Sequence, residues 1–255
     1  MEVDTSSGLN EQLADAARAL QAETSTQRTL ERCVALATEL IDGCDYAGIS
    51  FVRRKAPIET PAATDPLVIR GDELQYSLQE GPCLDAIWDQ ETVHSPNLAT
   101  EQRWPRWAPQ VLDELGVASM LSFQLYTSGD TLGALNLYSK RVDAFDEDDF
   151  NAGMMLAAQG AVALAESQAT EQWQNAALNR TIIGQAEGIL MERFTLTADR
   201  AFAVLRRVSQ QNNVKLYQVA GELVVTREIP AAAVRDTATS GPTPASAGPG
   251  GLVAG

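Results

Sequence analysis

The stretch that most limits what this chain can fold into is residues 179–227, NRTIIGQAEGILMERFTLTADRAFAVLRRVSQQNNVKLYQVAGELVVTR. It is the one long segment that reads as helix throughout and carries a positive balance. Ile182, Ala186, Ile189 and Arg193 form one row at helical spacing, and Ile183, Leu190 and Phe194 form the next, so the apolar stripe is wide. Thr195-Leu196-Thr197 stops that helix. Thr197 is placed to cap a second one, with Asp199 in its first turn at the positive end of the dipole. Ala201, Phe202, Leu205 and Val208 share a face there, and Arg206 and Arg207 turn away. Asn212-Asn213 marks a turn. A third helix carries Leu216, Val219, Ala220, Leu223 and Val224 on one side, with Lys215, Tyr217 and Arg227 around it, and Pro230 closes the unit. Three short amphipathic helices with short turns predict a small bundle.

Charge sharpens the division. The 255 residues carry a formal net charge of −15, which taken whole argues against nucleic acid. Residues 1–173 hold 11 basic and 28 acidic side chains, net −17, whereas residues 174–229 hold 7 and 5, net +2. Counterion release depends on local contacts, so a mildly basic module on an acidic partner remains compatible with RNA. Cys33, Cys44 and Cys83 are widely spaced and form no Cys-x-x-Cys pair, which suits a reducing compartment and gives neither a disulfide framework nor a zinc site. Glu2 and Asp4 stand where a secretory signal would be basic, and the apolar run at residues 153–165 is shorter than the ~20 residues of a membrane span. A cytoplasmic protein without membrane contact is expected.

In the first half, Leu9, Leu13, Ala16, Ala17 and Leu20 predict a helix, and Thr24-x-x-Gln27 resembles a capping box for the next, with Leu30, Val34, Ala37 and Ile41 inward. Residues 46–52 read as a strand. The proline-rich residues 56–65 read as loop or edge strand, and residues 67–78 stay ambiguous. A short helix follows at 83–88, a strand at 92–94 and a helix at 103–115. The clearest hairpin is 119–126 with 131–139, joined at Ser128-Gly129-Asp130. Acidic residues 146–149 start a long helix rather than a metal site. Along it Phe150, Met154, Ala157, Ala161, Leu164, Gln168 and Glu171 fall near a heptad row. Only Gly153 and Gly160, tolerable at about 1 kcal/mol each, intervene before Ile183. One continuous helix from the first module into the second is expected, with its small residues admitting a partner helix in a homodimer. Residues 230–255 have the composition of a disordered tail.

Arg180-x-x-Ile183-Gly184-Gln185-Ala186-x-Gly188-Ile189-Leu190-Met191, Ala201-Phe202-x-x-Leu205-Arg206 and Lys215-Leu216-x-x-Val219-Ala220 together resemble an ANTAR domain, an RNA-binding three-helix module of bacterial transcription antiterminators. Glu187 departs from the pattern, standing where many relatives have lysine. Residues 45–50, Glu80-Gly81-Pro82-Cys83-Leu84, Trp104-Pro105-Arg106-Trp107 and residues 132–139 resemble a GAF domain of the type fused to ANTAR modules in actinobacteria. The resemblance implies an α+β fold: a GAF-like antiparallel sheet flanked by helices, a long connector helix and a C-terminal three-helix ANTAR bundle. The expected divisions are 1–23 helical extension, 24–145 sensor, 146–178 connector, 179–229 RNA-binding domain and 230–255 tail.

It also implies a non-catalytic RNA-binding antitermination regulator acting on paired stem-loops in mRNA leaders. Arg180, Gln185, Arg193, Arg206, Arg207, Lys215 and Tyr217 are the candidate RNA contacts. Arginine and lysine suit phosphates and tyrosine suits loop bases, although on charge alone they also fit a solvated face balancing Glu192, Asp199 and Glu222. Cys83, Trp88 and Trp104 are ligand-pocket candidates, each with a plainer reading as packing. Cys83 at a helix start also suits a redox thiol. Phe150, Met154, Ala157, Ala161 and Leu164 are the dimerisation candidates. His94 is structural, since no nucleophile motif accompanies it. No catalytic residue, metal or cofactor is assigned, and an unknown small molecule remains possible at the sensor. The alternatives are a redox enzyme of the GAF type and a DNA- or protein-binding dimeric regulator.

Overall fold

In the computed structural model the described residues are 5–52, 56–89, 91–127 and 131–228. They divide into a unit ending at residue 175 and a second beginning at residue 176.

The first unit runs α1 (Thr5–Gln21), α2 (Thr26–Leu40), β1 (Tyr46–Phe51), β2 (Glu59–Ala63), α3 (Pro66–Leu78), α4 (Pro82–Trp88), β3 (Thr92–Ser95), α5 (Trp107–Leu115), β4 (Ser119–Tyr126) and β5 (Thr131–Ser139), then enters α6 (Glu147–Phe194). The five strands form one antiparallel sheet in the order β2-β1-β5-β4-β3. Side chains alternate across a strand, and here both faces are covered. Leu121, Phe123, Leu125, Leu135 and Leu137 enter a core with α1, α2 and the first turns of α6. Met120, Ala134 and Tyr138 enter another, with Val68, Ile87, Trp107 and Val111 from α3, α4 and α5. Double coverage explains why β4 is buried almost throughout instead of alternating. The expected hairpin pairs from Ser119↔Ser139 to Tyr126↔Thr131; its Ser128-Gly129-Asp130 link lies outside the described residues.

Local chemistry corrects several expectations. The cap of α2 is Ser25, whose Oγ accepts from Arg28 N at 3.3 Å, rather than Thr24. Gln27 makes no capping bond and donates to Glu31 and to Pro61 O. The ambiguous residues 67–78 are helix because Asp65 Oδ1 accepts from Leu67 N at 2.8 Å and Pro66 fits the first turn. Residues 59–63 within the proline-rich segment are the edge strand β2. Helix α5 begins at Trp107, not at residue 103, since Pro105 disfavours helical backbone at Trp104. Two acids at the start of α6 cap it reciprocally: Asp149 N donates to Asp146 Oδ1 at 3.0 Å, and Asp146 N donates to Asp149 Oδ2 at 3.2 Å.

Gly153 and Gly160 of α6 have a different purpose from the one expected. A Cβ on Gly153 would lie 2.4 Å from the Phe123 ring, and one on Gly160 would lie 2.9 Å from Cys33 Sγ. They admit the chain's own sheet and α2, not a partner helix.

The second unit consists of the last turns of α6, α7 (Ala198–Asn212) and α8 (Leu216–Thr226). Ala186, Leu190, Ala201, Leu205, Val219, Ala220 and Leu223 are its buried core. The turn after α6 has Thr195 at φ 51°, and Asn213 ends α7 at φ 52°, a conformation asparagine tolerates. Thr197 occupies the cap position of α7 without a side-chain capping bond. Phe194 and Phe202, expected on apolar faces, are 49% and 38% exposed. Pro230 and the expected tail lie outside the described residues.

Candidate functional site

Basic side chains crowd the second unit without neutralising partners. Arg180, Gln185, Arg193, Arg206, Arg207 and Lys215 are all exposed, and Tyr217 is half-buried. Among the described residues, no carboxylate lies within 4.0 Å of any Lys or Arg nitrogen in this unit. An unpaired guanidinium on a solvated surface can take a phosphate without first breaking an ion pair.

The structure brings only some of these residues together. Gln185 and Arg193 line a cleft of about 610 Å³ between α6 and the end of α8, together with Gly188, Ile189, Val224 and Arg227. Arg193 Nη1 donates to the Arg227 carbonyl at 2.5 Å, which fixes one guanidinium at the C-terminal end of α8, where a cation suits the dipole. Arg180, Arg206, Arg207, Lys215 and Tyr217 do not line this cleft. Arg227, which lines the cleft, was not among the candidates read from the sequence. Its signal was slight: a basic residue just past the last apolar position of α8, where the backbone turns to φ 63°.

The first unit holds a buried polar cluster on the sheet face under α3 and α4. Asp72 is fully buried and accepts from Thr60 Oγ1 at 2.7 Å, Gln75 Nε2 at 3.1 Å, Ser50 Oγ at 3.2 Å, Asn136 Nδ2 at 3.4 Å and the Tyr138 hydroxyl. Burial raises its pKa, against the lowering effect of these donors. Cys83 sits in the same cluster, its thiol donating to Ser50 Oγ at 2.8 Å. Burial and the nearby Asp72 charge push the thiol well above its ordinary value. That is the opposite of the activation a thiolate nucleophile needs.

Cys83, Trp88 and Trp104 do not converge on one pocket. Trp88 is 62% exposed. Trp104 is buried against Trp107, with ring centroids 5.8 Å apart, and its Nε1 donates to Asp85 at 2.9 Å. It is a packing residue. His94 is one as well, edge-on to Phe150 at 4.9 Å.

The dimerisation candidates also divide. Ala157, Ala161 and Leu164 are 3%, 1% and 1% exposed in the unit's own core, so they are unavailable to a second chain as they stand. Phe150 is half-buried, and Met154 is 53% exposed. The face of α6 left open carries Met154, Met155, Ala158, Val162 and Trp173. Sequence periodicity found the apolar row but not its occupant, which is α2 and the sheet.

The GAF domain family matches residues 23–165, more than half of the chain. The ANTAR domain family matches residues 171–224. The free methionine-R-sulfoxide reductase of Neisseria meningitidis, solved with its substrate, aligns over 66% of this chain and 95% of its own, at 18% identity and a TM-score of 0.52. The GAF domain of a Coxiella burnetii phosphoenolpyruvate-protein phosphotransferase aligns over 64% and 96%, at 15% identity and 0.52. The corresponding Acinetobacter domain aligns over 62% and 93%, at 18% identity and 0.51. At these identities the likeness is one of fold alone. No curated protein matches the sequence significantly. Among the described residues, no helix is long and apolar enough to cross a membrane. With the five-stranded sheet lying inside the first matched range and most of the unpaired cations inside the second, the chain belongs to the GAF domain family and carries an ANTAR domain, the architecture of a regulator.

Proposed function

We propose that this regulator is a cytoplasmic RNA-binding antiterminator, in which the ANTAR bundle holds paired stem-loops of a nascent mRNA and the GAF unit governs when it does so. The observation that carries this reading is the coincidence of the ANTAR match with a bundle whose exposed cations have no carboxylate partner among the described residues. Arg180, Arg206, Arg207 and Lys215 supply charge for phosphates, and Tyr217 offers a ring for a loop base.

A homodimer fits the pairing of the stem-loops, because tethering two modest contacts raises the combined affinity. Its seam is the open face of α6 at Met155, Ala158, Val162 and Trp173, which carries exposed apolar surface where the row read from sequence is occupied. A small molecule bound by the sensor would act only by favouring one arrangement of this helix over another. A redox enzyme is disfavoured by the buried, charge-opposed thiol of Cys83.

The test is a gel-shift titration of the full chain against tandem-hairpin RNA, single-hairpin RNA and duplex DNA at two salt concentrations. The expected result is tight binding to tandem hairpins, weakened by salt. Equal affinity for duplex DNA, or no binding to any RNA, would overturn the reading.

A further inference from the structure

We infer that the cleft between the last turns of α6 and the end of α8 receives one unstacked nucleobase of the bound RNA, with Gln185 and Arg227 on its polar edge and Gly188 making room for it. This rests on the proposed RNA-binding function and adds to it a place, a ligand group and a residue, Arg227.

The first argument is chemical complementarity. A nucleobase has two apolar faces and an edge carrying both donors and acceptors, and RNA loops are recognised through bases splayed out into such surroundings. Ile189 and Val224 give the cleft apolar walls. Gln185 offers a donor and an acceptor in one amide, Arg193 and Arg227 offer donors, and Glu192 offers an acceptor. These charges are not engaged with one another, since among the described residues neither guanidinium has a carboxylate within 4.0 Å. Arg193 is already anchored on the Arg227 carbonyl, so part of the site is ordered before RNA arrives. A volume of about 610 Å³ lies within the range of small-ligand sites.

The second argument comes from two glycines. Gly184 and Gly188 lie one turn apart in the exposed part of α6, where glycine weakens a helix. Neither has a positive φ, and a Cβ on either would meet nothing within 4 Å. In the sensor the situation is reversed: a Cβ on Gly48 would lie 2.3 Å from Val68, and one on Gly133 would lie 1.9 Å from the Ser50 carbonyl. Those glycines are required by their own fold. Gly188, which lines the cleft, is required by nothing among the described residues, and space for an incoming group accounts for it.

The experiment compares the unaltered full chain with Gly188→Leu and Arg227→Ala, by fluorescence anisotropy on tandem-hairpin RNA. Thermal unfolding of each variant is measured alongside. Gly188→Leu fills the cleft and should raise the unfolding midpoint while lowering affinity about tenfold or more. Arg227→Ala should lower affinity to a similar degree with the fold retained. Replacing the loop nucleotides one at a time by abasic sites should reveal one position whose loss is not additive with Gly188→Leu. Binding unchanged in both folded variants would overturn the inference and leave the RNA-binding function standing. Additivity of every abasic site with Gly188→Leu would do the same. Failure of the unaltered chain to bind any RNA would overturn both.

Discussion

In the sensor unit, Arg18, Arg28, Arg32, Arg70, Arg103 and Arg106 each have a carboxylate within 4.0 Å, while among the described residues none of the seven basic residues from Arg180 to Arg227 does. The sensor's remaining described cations are occupied too. Lys140 lies 5.2 Å from the Tyr46 ring, and Arg141 donates to the Asp42 carbonyl at 2.7 Å. Several sensor glycines, Gly48, Gly133 and Gly153 among them, are demanded by close packing, whereas Gly184 and Gly188 in α6 are not. The sensor uses its special residues on itself. In the bundle Arg193 is held in the same way on the Arg227 carbonyl, but the other cations have no carboxylate partner among the described residues and the cleft stays open, which is what a surface built for another molecule requires.

The most severe way to break this comparison is Gly133→Ala. Its Cβ would lie inside the contact distance of the Ser50 carbonyl, backbone that cannot move without parting β1 from β5. We expect a loss above about 3 kcal/mol in denaturant unfolding, whereas Gly184→Ala in the bundle should stabilise by up to about 1 kcal/mol. A milder loss at Gly133 would mean the two sets of glycines do not differ.

Arg206→Ala combined with Arg207→Ala should leave stability nearly unchanged and reduce RNA affinity about tenfold or more. The slope of log affinity against log salt should fall by about 1 to 2, as expected for two lost phosphate contacts. An unaltered slope would mean these cations do not meet phosphate.

A smaller effect separates two buried titratable groups of the sensor. Asp72 has its pKa raised by burial, so the folded state holds a proton the unfolded chain has released. Stability should therefore fall as pH rises from about 4 through that raised value, and Asp72→Asn should flatten this part of the profile. His94 has its pKa lowered by burial, and its Nε2 has no hydrogen-bond partner among the described residues. Its contribution should be lost as pH falls below about 6.5, and His94→Phe should remove that loss. Denaturant midpoints measured from pH 4 to pH 9 check both signs.

The smallest expected effect is that of Arg32→Ala. It removes the exposed pair with Glu39, at 3.3 Å, and should change stability by less than about 1 kcal/mol and RNA affinity not at all. A clear loss of RNA binding would show that the sensor's cations are not reserved for the sensor.

Much of the fold was legible because local chemistry and tertiary packing agree along most of the chain. The β4–β5 hairpin, the continuous α6 and the three helices of the bundle all follow from apolar periodicity with capping or turn residues at their ends. Legibility failed where two local signals were equivalent or where the partner was distant. Thr24 and Ser25 are both good caps, and only the path of the chain chooses Ser25. The row Ala157, Ala161 and Leu164 has the spacing of a dimer seam, but periodicity says that a face is covered, not by what. Trp88 and Trp104 look alike in sequence, yet one is exposed and the other fills the core.

For the bundle's charges, the sequence by itself already excluded one kind of neutralisation. No basic residue from Arg180 to Arg227 has an acid three or four positions away, the spacings at which a helix makes side chains neighbours. Ion pairs at these spacings were therefore absent from the start, while Arg180 and Glu187 stand seven apart, the spacing at which Arg32 and Glu39 do pair in α2. Whether Glu187, Glu192, Asp199, Glu222 or Glu228 would reach a cation on a neighbouring helix depended on how three helices turn their faces around Ala186, Leu190, Leu205 and Leu223. That rotation is set by burial of the apolar stripe, summed over residues distant in sequence, and only the tertiary structure decided that the cations stay open and that Gln185, Gly188 and Arg227 meet at one cleft.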